Sequence, residues 1–171
     1  MKKIFCIIMN IVTSIVTLIG LTIIIAYIFG IVPTIVSTGS MAPKLPIGSL
    51  CVINTKYPFE KLKVNDIIVY RIQKNRVIHR VNNIVDGKVR TKGDNNDYVD
   101  RIVIDEEKYY GKYLFSINEL GYFTTRLQSP LGKSLFVTFI ITIYVLTYLA
   151  NYAVKKEKAN GNNRWLYKIR Y

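Results

Sequence analysis

Residues 66–92 read DIIVYRIQKNRVIHRVNNIVDGKVRTK. Ile, Val and Tyr crowd into Asp66–Ile72 and again into Val77–Val85, with the polar run Gln73-Lys74-Asn75-Arg76 between them. β-Branched and aromatic side chains suit a pleated, half-buried surface, so the pattern predicts two strands joined by a turn. Asp86-Gly87 marks a tight hairpin, because both central residues of the favoured two-residue turn need positive φ. Lys88–Lys92 comes next as a third strand. Side chains alternate across a strand, which puts Val77, His79 and Val81 on one face.

On the N-terminal side, Leu50–Asn54 reads as a short strand after Pro46-Ile47-Gly48. On the C-terminal side, Gly93-Asp94-Asn95-Asn96 is a turn-rich stretch whose side chains can bond their own backbone. Short strands at such spacing predict a small barrel or sandwich. The stretch NELGYFTTRLQSPLG, 118–132, mixes aromatic and polar residues in the way that suits a membrane interface. The middle of the chain, 37–133, is therefore expected to be one β-rich domain.

Both ends differ in kind. Half of all residues are hydrophobic while the net charge is +13, and the two facts fit because apolar and basic residues are segregated. No Asp, Glu, Lys or Arg occurs from Ile4 to Pro43, and none from Ser134 to Val154. A bilayer core of about 30 Å is crossed by about 20 helical residues, so each run is long enough to span. The expected organisation is a cytoplasmic N-terminus with a first transmembrane helix (1–36), the β-rich domain (37–133), a second transmembrane helix (134–154) and a basic cytoplasmic tail (155–171).

The first run is too long for the 7–15-residue core of a cleavable signal peptide and no A-x-A site succeeds it, so a signal anchor is expected. Lys2 and Lys3 precede the first run. Lys155, Lys156, Lys158, Arg164, Lys168 and Arg170 come after the second, against Glu157 alone. Both termini thus read as cytoplasmic, with the middle on the outer face of the cell membrane. Residues 37–133 carry 16 basic and 10 acidic side chains with no basic cluster interleaved with aromatics. The charge is assigned to membrane lipid, not to nucleic acid. Cys6 and Cys51 fall in different parts of the chain, and no CxxC or zinc spacing is present.

Three residue types carry possible chemistry. Ser40 sits in Ser37-Thr38-Gly39-Ser40-Met41-Ala42-Pro43, where Gly39 permits close backbone approach and Thr38 supplies a second hydroxyl. Pro43 and Pro46 stiffen the chain on the C-terminal side of the serine. Ser40 is at most roughly 14 Å beyond Val36 even in extended chain. His79 is the single histidine. It reads either as a half-buried residue of a sheet or as a general base, and its solitude disfavours a metal site. Asp94, Asp97 and Asp100 form either a solvated, self-capping turn or the source of an acid that orients His79; the spacing is not that of an EF-hand loop. A serine, a histidine and one such aspartate would make a triad.

In order and spacing, TGSMAP (38–43), VNDIIVY (64–70), VIHRV (77–81) and TKGDNN (91–96) with Asp100 resemble the type I signal peptidases, over roughly residues 30–133. The resemblance implies a membrane-bound serine endopeptidase that removes signal peptides from exported preproteins. It needs no cofactor and no metal. Where the commoner bacterial enzymes have a lysine base ahead of an arginine, this chain has His79-Arg80, as in the endoplasmic-reticulum and archaeal branch. A lysine must be strongly desolvated to lose its proton near neutrality; a histidine need not be, but gains from an acid that holds its tautomer.

By resemblance Ser40 is the nucleophile, His79 the base and Asp100 its orienter, with Asp94 an auxiliary or alternative acid. Thr38 joins the Ser40 N–H as an oxyanion donor. Departures are Ser49 where the family often has Asp, and Asn65 where it often has Gly; Asn tolerates the left-handed region. Two further readings stand beside this one: a specialised peptidase for one or a few clients, and a catalytically inert membrane subunit of the same fold, either of which would bring further subunits or clients as partners.

Overall fold

The computed structural model describes the backbone of residues 2–168 and the side chains of residues 3–159. The side chains of Arg164, Lys168 and Arg170 of the basic tail lie outside the described residues. The chain forms two compact units, one of residues 1–23 with 129–171 and the other of residues 24–128.

The first unit pairs most of helix α1 (Lys2–Ile28) with helix α3 (Pro130–Lys168). Both helices are long and apolar enough to cross a membrane. Most of their Ile, Leu, Val and Phe side chains point away from the protein. In hydrocarbon every backbone polar group must be bonded within the segment, which a helix achieves, and the α1 threonines obey the same rule. Thr13, Thr17 and Thr22 each donate to the carbonyl four residues earlier, at 2.8–2.9 Å.

A polar seam joins the two helices. The Cys6 Sγ–H donates to Asn151 Oδ1 at 3.1 Å, Asn10 and Asn151 exchange amide hydrogen bonds at 3.2 and 3.0 Å, and Thr13 faces Thr147 at 2.6 Å. Thr17 faces the Tyr144 hydroxyl at 2.6 Å. Positions rise along α1 as they fall along α3, so the helices run antiparallel. Polar bonds of this kind between membrane helices contribute roughly 0.6–1.7 kcal/mol each and set the register.

The second unit is a seven-stranded antiparallel sheet. Its strands are β1 (Ile31–Ile35), β2 (Leu50–Asn54), β3 (Ile67–Ile72), β4 (Asn75–Val85), β5 (Lys88–Lys92), β6 (Val103–Ile104) and β7 (Tyr109–Ile117), with α2 (Leu120–Gln128) after them. The order across the sheet is β1-β2-β7-β3-β4-β5-β6. This is the β-rich domain flanked by two apolar helices that the hydropathy pattern predicts. The Asp86-Gly87 hairpin closes with φ of 51° and 69°, as a two-residue turn of this hand demands. The β3–β4 turn is tighter than the polar run suggests. Gln73 takes φ 53°, and Asn75 and Arg76 are already in β4, pairing with Ile72 and Arg71.

β3 is buried along Ile67–Tyr70 on both faces, which explains its unbroken apolar run. Ile68 and Tyr70 join Leu62, Val81, Val89 and Ile104 in one core cluster. Ile67 joins Val36, Met41, Leu45 and Cys51 in the other. β1 continues the apolar run of α1 after Gly30, which has φ +81°.

Candidate active site

Register puts the first part of the site in place. Ile68 pairs with His79, Tyr70 with Val77, and Val81 with Thr91. Directly paired residues and residues two apart share a face, so Tyr70, His79 and Thr91 project from one side of the sheet. Asp100 reaches the same place from the loop after β5, where its N–H donates to the Thr91 carbonyl at 2.8 Å. His79 Nδ1 lies 2.6 Å from Asp100 Oδ2. An ionised carboxylate only accepts, so Nδ1 carries the proton and donates. His79 Nε2 is then left as an acceptor, and it faces Ser40 Oγ at 3.1 Å.

Ser40 stands on a single 3-10 turn, Gly39–Met41. Met41 and Leu45 are almost fully buried in the core beneath it and anchor the turn. The 93–96 loop braces it from the other side: Asn95 N–H donates to the Ser40 carbonyl at 2.8 Å, and Asp94 N–H points at Met41 Sδ at 3.5 Å. A Cβ on Gly93 would stand 2.6 Å from the Ser40 carbonyl oxygen, a backbone atom that cannot swing aside. Gly93→Ala is therefore expected to push the serine turn away from His79. A misplacement of about 1 Å can cost about 10²-fold in rate. Steady-state turnover beside a thermal melt checks it, with a large fall in kcat expected from a chain that still unfolds cooperatively.

Two members of the site carry no signal of their own in the sequence. Asp100 Oδ2 accepts from the Tyr70 hydroxyl at 3.1 Å and from Thr91 Oγ1 at 2.7 Å, besides His79. Thr91 Oγ1 also lies 3.2 Å from the Tyr70 oxygen, and Tyr70 OH 3.3 Å from His79 Nδ1. Burial pushes the Tyr70 phenol well above its ordinary range, the Thr91 hydrogen bond draws it part of the way back, and the Asp100 charge and hydrogen bond push it up again. Tyr70 is thus a neutral donor at physiological pH. It fixes which carboxylate oxygen meets the imidazole. The β3–β4 register puts Tyr70 on the His79 face, but it does not give the approach of Asp100.

Tyr70→Phe keeps the buried ring and removes only the hydroxyl. The expected result is a fall of about tenfold in kcat with KM unmoved, since the acid is left less well held. A net loss of about 1 kcal/mol in stability is expected alongside, as for one hydrogen bond. A KM effect without a kcat effect would instead mark the hydroxyl as part of the binding surface.

Asp94 does not meet His79. Arg80 Nε and Nη2 clamp its two carboxylate oxygens at 2.8 and 2.6 Å, and Arg80 Nη1 donates to the Asn65 carbonyl at 2.9 Å. The Asp94 contact raises the Arg80 pKa further, against partial desolvation. Arg80 and Asp94 hold the 93–96 loop against β4, and through it the Ser40 carbonyl. Asn65 has φ 74°, so the asparagine adopts the left-handed conformation for which glycine is the commoner choice. Ser49 is fully buried and donates to Asn118 Oδ1 at 3.1 Å. Thr38 Oγ1 lies 3.4 Å from Ser40 Oγ on the exposed side. Among the described residues no group of three or more His, Cys, Asp or Glu side chains is placed to hold a metal ion.

Ser40 and His79 open into a groove of about 940 Å³. One wall is the end of β1 and the segment after it, Thr34–Thr38; the other is the start of β4 with the turn before it, Lys74–His79. β2, β7 and β3 separate these strands in the sheet order, so the sheet curls to bring them to one groove. β1 is an edge strand, and β5 pairs with β4 only from Arg80 onward. Both walls therefore present unpaired strand edge. Comparison with known families matches residues 8–127 to the one described as signal peptidase, peptidase S26. No curated protein matches the chain.

Proposed function

Because the chain belongs to the signal peptidase family, peptidase S26, we propose that it is a membrane-bound serine endopeptidase that cuts signal peptides from exported preproteins at the membrane surface. The observation that carries this reading is the continuous contact Ser40 Oγ–His79 Nε2–Nδ1–Asp100 Oδ2, at 3.1 and 2.6 Å. Ser40 attacks the scissile carbonyl while Nε2 takes its proton. Asp100 stabilises the imidazolium, and Nε2 returns the proton to the leaving amine; water then repeats the cycle on the acyl-enzyme. The Ser40 N–H and the Thr38 hydroxyl meet the oxyanion, a contribution of about 10²–10³ in rate per donor.

An extended preprotein segment lies in the groove as an added strand, bonding through its backbone to the free edges of β1 and β4. The use of histidine for lysine supports the Ser/His branch of the family. α1 and α3 span the bilayer with both termini cytoplasmic, which leaves the sheet domain and its site on the outer face. The flanking Lys residues meet anionic lipid.

The test is cleavage of a generic preprotein by membranes bearing the chain, with the product's new N-terminus sequenced. A single cut after a small residue is expected. No cut, with Ser40 still labelled by a serine-reactive probe, would mean a dedicated client or a missing subunit. No cut and no labelling would leave an inert subunit of the same fold.

A further inference from the structure

The β3–β4 hairpin holds a charge arrangement that folding alone disfavours. Arg71 and Arg76 are directly paired across the two strands, where like charges destabilise a sheet. Their guanidinium carbons lie 4.5 and 4.2 Å from the centroid of the Tyr110 ring, which draws both cations to one place. Lys74, in the turn between them, adds a third positive charge. Among the described residues none of the three is ion-paired with a carboxylate. Arg80, Lys112 and Lys108 of the same domain have acids, Asp94, Asp66 and Asp105. Lys44, Lys88 and Arg90 have no such ion pair among the described residues, so what sets Arg71 and Arg76 apart is that one ring gathers them. Arg71, Lys74 and Arg76 are all exposed.

The second observation is where the hairpin stands. Lys74 and Arg76 line the same groove as Ser40 and His79. A peptide extended along β4 advances one residue for each residue of the strand, about 3.3 Å. The peptide residue opposite Arg76 is thus about 10 Å from the one opposite His79, and the residue opposite Lys74 about 17 Å. A groove that begins at a nucleophile ends at Lys74 and Arg76, and Arg71 stands beside the groove as the strand partner of Arg76.

From this we infer that Arg71, Lys74 and Arg76 form a subsite for a carboxylate side chain of the preprotein, three to six residues from the bond that is cut. The inference rests on the peptidase reading of the groove. Tyr110 is its scaffold: the ring keeps the two arginines side by side, so a carboxylate meets two guanidinium groups already gathered. The charges are exposed, so their effect is on specificity and is modest in size.

The test uses the full chain in zwitterionic vesicles with peptides that carry Asp, Asn or Lys in turn at each of six positions on either side of the cleavage site. Asp at one position three to six residues from the cut is expected to raise kcat/KM about two- to fivefold over Asn, as one exposed ion pair allows. The gain should fade toward about 1 M salt, where the Debye length is about 3 Å. Arg76→Glu should reverse the order, so that the Lys peptide outruns the Asp peptide. Equal rates for Asp and Asn peptides with the wild-type chain would overturn the subsite. So would an Arg76→Glu effect seen only when anionic lipid is added, since the arginines would then meet headgroups. Cleavage of none of the peptides, with Ser40 also unlabelled by a serine-reactive probe, would sink the peptidase reading itself and the subsite with it.

Discussion

Membranes carrying Ser40→Ala are expected to leave preprotein uncut while holding the chain at its wild-type level. In a serine hydrolase of this constellation the loss of the nucleophile costs about 10⁶ in kcat. What survives comes from oxyanion donors and binding alone. The structure makes the substitution a clean one. Among the described residues Ser40 Oγ contacts only His79 and Thr38 by hydrogen bond, and the packing of the turn depends on Met41 and Leu45 beneath it. Alanine therefore removes the hydroxyl without opening a cavity, and the melting temperature should stay where it was. Processing that persists in this variant would exclude Ser40 as nucleophile. A collapse in protein level would point to a structural role that its partial exposure does not suggest.

The second large effect separates two aspartates. Asp100→Asn is expected to lower kcat by about 10⁴, the size of the same change in other serine triads. A neutral amide cannot stabilise the imidazolium that forms as Nε2 takes the Ser40 proton, and wherever its nitrogen turns toward Nδ1 it donates and holds the tautomer that leaves Nε2 blocked. Asp94→Asn should cost far less, at most about 10²-fold. It weakens the clamp from Arg80 and shifts the 93–96 loop, but leaves the His79–Asp100 contact whole. Single-turnover rates of the two variants side by side decide the matter. If Asp94→Asn proves the more damaging, the acid has been assigned to the wrong residue.

The strands β3, β4 and β5 could be read from the sequence because β-branched and aromatic residues crowd into them and a polar run and Asp-Gly punctuate them. β1 could not. Its residues Ile31–Ile35 extend an apolar run that begins in α1, and hydropathy has no mark for the change from helix to strand. β7 was hidden for a different reason. Its run YYGKYLFSI does not alternate, since it carries irregularities against both neighbours, β2 and β3. Ser40, His79 and Asp100 were singled out by motifs in order along the chain. Tyr70 and Thr91 needed the register of three strands together with the path of the loop to Asp100, and no local pattern encodes that path.

The unpaired edges of β1 and β4 make the free protein an unfinished sheet. Only a segment whose own backbone N–H and C=O groups are unengaged can complete it, because a helix or a folded strand has already spent them. Discrimination then falls first on conformation and only afterwards on side chains. Under the proposed function, a signal segment must unwind near its cleavage site before it can be cut, and a cargo whose first residues have been taken into its own structure is no longer a substrate. Cleavage is thus in a race with the folding of the cargo. For a preprotein that folds quickly from its N-terminus, the speed of that folding, more than its match to the groove, decides how much of it is processed.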